Sequence, residues 1–146
     1  MCSSDLAMEK WGSEPKIVAP PTQSWAFEAV GFEQANLAFG AGALPSRTIL
    51  CANDRTAFGV MAAATQRGLR VSRDAKADLR VAGHDDHPLS RFASPSLTTV
   101  AQDFDRMATL AVDMLISRLA ESKESKKEQP HEVHLLEAKL IMRDSA

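Results

Sequence analysis

The stretch from Leu79 to Val100, LRVAGHDDHPLSRFASPSLTTV, constrains the fold more than any other part of this 146-residue chain. Its opening residues Leu79, Val81 and Ala82 form a short apolar run that reads as a strand buried in a sheet. Gly83 ends the run, and Asp85 and Asp86 follow at once. Carboxylates just past the C-terminal end of a parallel strand stand where open α/β sheets bind ligands. Pro88 and Pro95 then break regular structure, and the β-branched run Leu97 to Val100 starts a new strand. One stretch therefore combines a candidate site with a crossover.

The rest of the chain alternates around it. Leu6, Met8 and Trp11 are spaced for a short amphipathic helix within Met1 to Gly12, and Ile17 to Ala19 reads as a strand stopped by Pro20 and Pro21. Ser24 is placed to cap a helix reaching Phe39, with Phe27, Val30, Gln34, Leu37 and Ala38 on one side. Gly31 inside it costs roughly 1 kcal/mol against Ala, which close packing can offset. Thr48 to Ala52 is a second clear strand, ended by Asn53 and Asp54. The spacing of Phe58, Met61, Ala62 and Thr65 predicts a helix over Arg55 to Arg67, with Asn53 a good N-cap and Gly68 a left-handed stop. Asp103 opens a last helix to Ala120, carrying Met107, Leu110, Ala111, Met114, Leu115 and Arg118 as a stripe. The charged run ESKESKKEQP at 121–130 reads as a solvated linker, and strands at Val133–Leu136 and Lys139–Met142 close the chain. Strand–helix alternation of this kind predicts an α/β fold, a mostly parallel sheet with helices on both faces.

Composition excludes several classes. A net charge of −2 leaves no electrostatic footprint for nucleic acid. Cys2 and Cys51 have no motif spacing, and Cys51 sits in an apolar run as a reduced core residue would in a cytoplasmic chain. No apolar run has the length of a membrane span, and no signal-peptide pattern opens the sequence, so a cytoplasmic protein without membrane contact is expected.

Few side chains are candidates for chemistry. His84-Asp-Asp-His87 has the residue types of a metal cluster, but neighbours along an extended backbone do not converge on one ion, so no metal is expected. There is no nucleophile elbow, Gly40-x-Gly42 is too short for a phosphate loop, and no cofactor or catalytic constellation is expected. Asn53, Asp54 and Asp85 remain. They are either caps and turn residues, or they converge at C-terminal strand ends on one crevice. In the second case a carboxylate accepting from neighbouring hydroxyls, and an amide that donates and accepts, suit a hydroxyl-rich ligand.

Three segments in one order carry a family resemblance: ILCANDRTAFGVMAAATQRGLRV, then GHDD with HPLSRFASPSLTTV, then LLEAKLIMRDSA at the C-terminus. From about Ala26 onward the chain resembles the effector-binding region of LacI-type bacterial transcriptional regulators. His84 stands where that family usually has Phe or Tyr, and the segment Val71–Asp78 is longer than its pattern.

The resemblance implies the C-terminal lobe of a type I periplasmic-binding-protein-like fold, formed by residues 1–96 and 131–146. Residues 97–120 would be a strand and helix of a largely absent N-terminal lobe, with Pro95 and the linker 121–130 as crossing points. It implies that Asn53 and Asp85 contact a small effector, most often a sugar, with Asp54 beside them. Trp25 resembles the family's effector-stacking aromatic, although it stands one position out of register and structural packing is its other reading. Phe58 and Phe92 would belong to a homodimer face. The family's helix-turn-helix has no counterpart in this sequence, so operator DNA would be bound only through that missing N-terminal head. The alternative reading is a sugar-binding protein of a periplasmic uptake system, which shares the fold.

Overall fold

Among the residues that the computed structural model describes (3–22, 24–42, 46–121 and 133–146), the first half carries α1 (Ser3–Lys10), α2 (Phe27–Gly40), β1 (Thr48–Leu50) and α3 (Asp54–Gln66). The second half carries β2 (Arg80–Ala82), β3 (Thr99–Ala101), α4 (Phe104–Glu121) and β4 (Lys139–Ile141). The segments expected as strands at Ile17–Ala19 and Val133–Leu136 are irregular and exposed. Among the described residues neither has a neighbouring strand to take its backbone N–H and C=O groups, and a short apolar run alone does not make a strand. Residues 122–130 of the charged run, and His131, lie outside the described residues, as does Cys2.

β1 and β2 pair in parallel, Thr48 beside Arg80, Ile49 beside Val81 and Leu50 beside Ala82. The Cys51 amide continues the ladder to the Ala82 carbonyl at 2.8 Å. On the other edge of β2, the Val81 amide donates to the Ser145 carbonyl at 2.9 Å and Gly83 donates to Thr98 at 2.9 Å. β3 pairs with β4 antiparallel, Thr99 beside Ile141 and Ala101 beside Lys139. The strand at Leu97–Val100 therefore does not lack a sheet. Leu97 and Thr99 are fully buried, and Thr98 and Val100 accept from the Gly83 and Asp85 amides, so the strand expected to lie beyond a crossing at Pro95 is joined to the β2 layer.

Two helices meet at very short range. A Cβ on Gly31 of α2 would strike the Thr56 carbonyl of α3, and one on Gly59 of α3 would strike the Glu28 carbonyl and Phe32 amide of α2. Backbones that approach this closely need small residues on both sides. This overturns the expected helix faces. The core face of α3 is Asp54, Ala57, Gly59, Val60, Met61, Ala63 and Ala64, while Ala62 and Thr65 are exposed and Phe58 is half-buried. On α2 the buried residues are Gly31, Ala35 and Phe39, and Leu37 points outward. The expected Ser24 cap is also replaced: Ala26 is the N-cap, and Ser24 Oγ accepts only from the Ala26 amide at 3.1 Å.

The core sits between this helix pair and β2. Leu79, Val81 and Leu97 are its fully buried large side chains, packed against Ala57, Ala63 and Ala64. Gly68 stops α3 with φ +70°, as expected of a left-handed stop. Helix α4 is different: Phe104, Val112, Leu115, Ile116 and Leu119 are each more than half exposed.

Candidate functional site

The parallel register puts the C-terminal ends of β1 and β2 side by side, and the Asp54 amide locks them by donating to the His84 carbonyl at 2.9 Å. Asn53 and Asp85 therefore stand on the same edge of the sheet. Asn53 is the N-cap of α3: its Oδ1 accepts from the Thr56 amide at 2.8 Å and the Thr56 hydroxyl at 3.0 Å. Its Nδ2 makes no hydrogen bond among the described residues. The cap and ligand readings of Asn53 thus use different atoms of one side chain.

The Asp85 side chain is 40% exposed. Its Oδ1 accepts from Gln102 Nε2 at 3.2 Å and lies 3.1 Å from His84 Nδ1. The backbone there is unusual, with φ +111° at Asp85 and +51° at Asp86, two successive non-glycine residues in the positive region. Such conformations cost of order 1–3 kcal/mol each and persist where surrounding structure imposes them, often at ligand clamps.

Asp54 behaves otherwise than expected for a ligand contact. It is buried, and its Oδ2 accepts from Ser90 Oγ at 2.6 Å and the His87 amide at 2.8 Å. Its Oδ1 accepts from Thr99 Oγ1 at 2.6 Å. A Cβ at residue 83 would strike that same oxygen, so Gly83 makes room for the carboxylate. With both oxygens satisfied inside the protein, Asp54 ties α3, the loop after β2 and β3 into one unit and offers nothing outward.

Trp25 is 87% exposed, and its ring meets Phe27 edge-on at 5.8 Å. Phe27 in turn lies under the Arg55 guanidinium at 5.3 Å, and Arg55 grips Glu28 through two nitrogens at 2.6 and 2.7 Å. That guanidinium holds the Glu28 carboxyl below the usual carboxylate range. Arg55 follows Asn53 by two residues, so this row links Trp25 to the first turn of α3, with its indole still free for contact.

Sequence reasoning missed the groups that hold the site. Gln102 reaches Asp85 across 17 residues and Arg143 reaches Asp86 at 2.6 Å across 57, and no local spacing announces either pairing. The Cys51 thiol is pushed up to about 12 by burial, with the Asp54 charge adding to it, so it is an inert core group.

A second surface lies next to this edge. Phe58 is half-buried, edge-on to His87 at 5.8 Å, and Phe92 is 77% exposed. Together with Met61, Ala62, Leu89 and Ala93 they line an apolar groove of about 740 Å³. The stripe of α3 bearing Phe58, Ala62 and Thr65 thus lines this groove, with Met61 reaching both groove and core.

A family model for the periplasmic binding protein-like domain matches residues 6–146. The HTH-type transcriptional repressor PurR of Haemophilus influenzae is 35% identical over 121 residues, covering 80% of this chain and 34% of the relative. PurR of Actinobacillus pleuropneumoniae is 33% identical over 131 residues, covering 86% of this chain and 37% of the relative. The lac repressor dimer bound to operator and the anti-inducer ONPF superposes with a TM-score of 0.72 at 31% identity, over 94% of this chain and 43% of that one. A LacI-type transcription regulator from Bifidobacterium animalis subsp. lactis gives a TM-score of 0.75 at 30% identity, over 97% and 47% of the two chains. The chain spans about a third of the length of these curated relatives. It has the α/β, type I periplasmic-binding-protein-like fold of those structures. The chain belongs to the periplasmic binding protein-like domain family, in the form that serves as the effector-binding region of LacI-type transcriptional regulators.

Proposed function

We propose that this chain is the effector-sensing and dimerisation part of a LacI-type transcriptional repressor, responding to a small polar molecule, a sugar in the first instance. The observation that carries the reading is the pairing of Asn53 and Asp85 on adjoining strand ends. One offers an amide donor with no hydrogen bond among the described residues, and the other a partly exposed carboxylate on an unusual backbone. A donor and acceptors of this kind match a ligand bearing several hydroxyls. Trp25, exposed beside the first turn of α3, supplies an aromatic face for the apolar side of a sugar ring.

In the intact regulator the effector acts by population shift. Closing onto Asp85 and Asn53 from a second lobe favours one lobe orientation, and a homodimer passes the change to a DNA-binding head. The groove between Phe58 and Phe92 is the dimer face, used isologously across a two-fold axis. Helix α4 packs on the second lobe, with the chain leaving this one after Ala101. Operator DNA is bound through the head alone, the protein works in the cytoplasm, and it turns nothing over. Among the described residues no helix is long and apolar enough to cross a membrane. The relatives named above are repressors, which favours this reading over an uptake protein.

Calorimetry on a chain carrying both lobes, with a panel of neutral pentoses and hexoses, tests the site. Asp85→Ala should weaken binding by about 1.5–3 kcal/mol, the range for a hydrogen bond to a charged group. Unchanged affinity in a folded variant would remove Asp85 from the site, and no binding by any member of the panel would remove the sugar.

A further inference from the structure

The two consecutive positive-φ residues need something to hold them: the Asp85 amide is fixed by donating to the Val100 carbonyl at 2.9 Å, but the side-chain contacts of Asp85 are modest. Its carboxylate is met by Gln102 Nε2 at 3.2 Å and by His84 Nδ1 at 3.1 Å, all on a partly exposed surface. The firm contact is on its neighbour. Asp86 Oδ1 accepts from Arg143 Nη2 at 2.6 Å, with the side chains only 26% and 15% exposed. The second arm of the same guanidinium, Nη1, donates to the Leu97 carbonyl at 2.8 Å, and the Arg143 amide donates to Thr98 Oγ1 at 2.9 Å. The chain just after Arg143 is anchored as well, since Asp144 and Ser145 both donate their amides to the Ser96 carbonyl.

We propose that Arg143, just after β4, is a positioning residue for Asp85: by clamping Asp86 to the start of β3 it imposes the left-handed backbone that aims the Asp85 carboxylate. A rigid planar fork holds a carboxylate and a carbonyl at a fixed separation, which a flexible ammonium does less firmly. The anchor sits two residues beyond β4, so the position of β4 against β3 bears on the loop after β2 that carries Asp85. The consequence for ligand binding rests on Asp85 being an effector contact, whereas the backbone role does not.

The test is made on the 146-residue chain by NMR, using the three-bond HN–Hα couplings of Asp85 and Asp86, which report φ, and the exchange rate of the Asp85 amide. Arg143→Gln should move both couplings away from their positive-φ values and speed Asp85 exchange by about tenfold or more. Asp86→Asn keeps the volume, removes the charge and should do the same, which guards against misfolding of the first variant. Arg143→Lys should give intermediate values. Wild-type couplings and wild-type Asp85 protection in both Arg143→Gln and Asp86→Asn would overturn the proposal, even if the melting temperature fell. Shifted couplings in a two-lobe chain whose sugar affinity is indifferent to Asp85→Ala would uphold the clamp and reject the effector role of Asp85.

Discussion

Helices α3 and α4 carry similar apolar patterns, yet they have opposite fates. In α3 the buried face is made of Ala57, Gly59, Val60, Ala63 and Ala64, pressed between α2 and β2. In α4 the stripe is made of larger residues, and Leu115, Ile116 and Leu119 remain about 60% exposed. Burying a large apolar side chain stabilises by about 1.5–3 kcal/mol, and among the described residues nothing covers several such side chains on α4. The difference teaches that periodicity marks what a helix is able to bury, while the opposing surface decides what it does bury. For α3 that surface is the glycine-bearing face of α2. For α4 we place it in the part of the regulator that this chain does not match.

Substitutions can break the contrast. The largest expected effect is at Asp54, where three donors converge on one buried carboxylate. Asp54→Ala should lower stability by about 4 kcal/mol, since it strands two hydroxyls and an amide, and denaturant unfolding would read the loss. A loss under about 1 kcal/mol would mean that the tie between α3 and β3 is incidental. A matched pair then sharpens the comparison. Gly59→Val forces side-chain atoms into the α2 backbone and should cost about 3 kcal/mol. Ile116→Ser on α4 should stay within about 0.5 kcal/mol, as surface changes do. Equal costs at the two positions would erase the distinction between the helices.

Much of the first region was legible in the sequence, for local reasons. The runs ending at Asn53 and at Gly83 are strand ends because an apolar stretch stops at a capping residue or a glycine, and both edges came together as expected. The Asn53 cap and the Gly68 stop are equally local. What was not legible depends on neighbours remote in the chain. Ala62, Thr65 and Leu37 were expected on the packed faces and are exposed, because the α2–α3 contact is made at Gly31 and Gly59, where only small side chains fit. Asp54 read as part of the ligand edge because nothing near it in sequence reveals Thr99 or Ser90 as donors. Arg143 was invisible as a site residue for the same reason, its partner being 57 positions away.

We assign α4 to a second lobe and the rest of the described core to one packed lobe. Amide hydrogen exchange on a sample shown to be monomeric by sedimentation tests that division most directly. The backbone of α3, enclosed between α2 and β2, should exchange near the global unfolding limit, while α4 from Arg106 to Ala120 should exchange about a hundredfold faster or more. Protection of α4 equal to that of α3 in a verified monomer would show that this helix is part of a self-sufficient domain, and its assignment to a second lobe would fail.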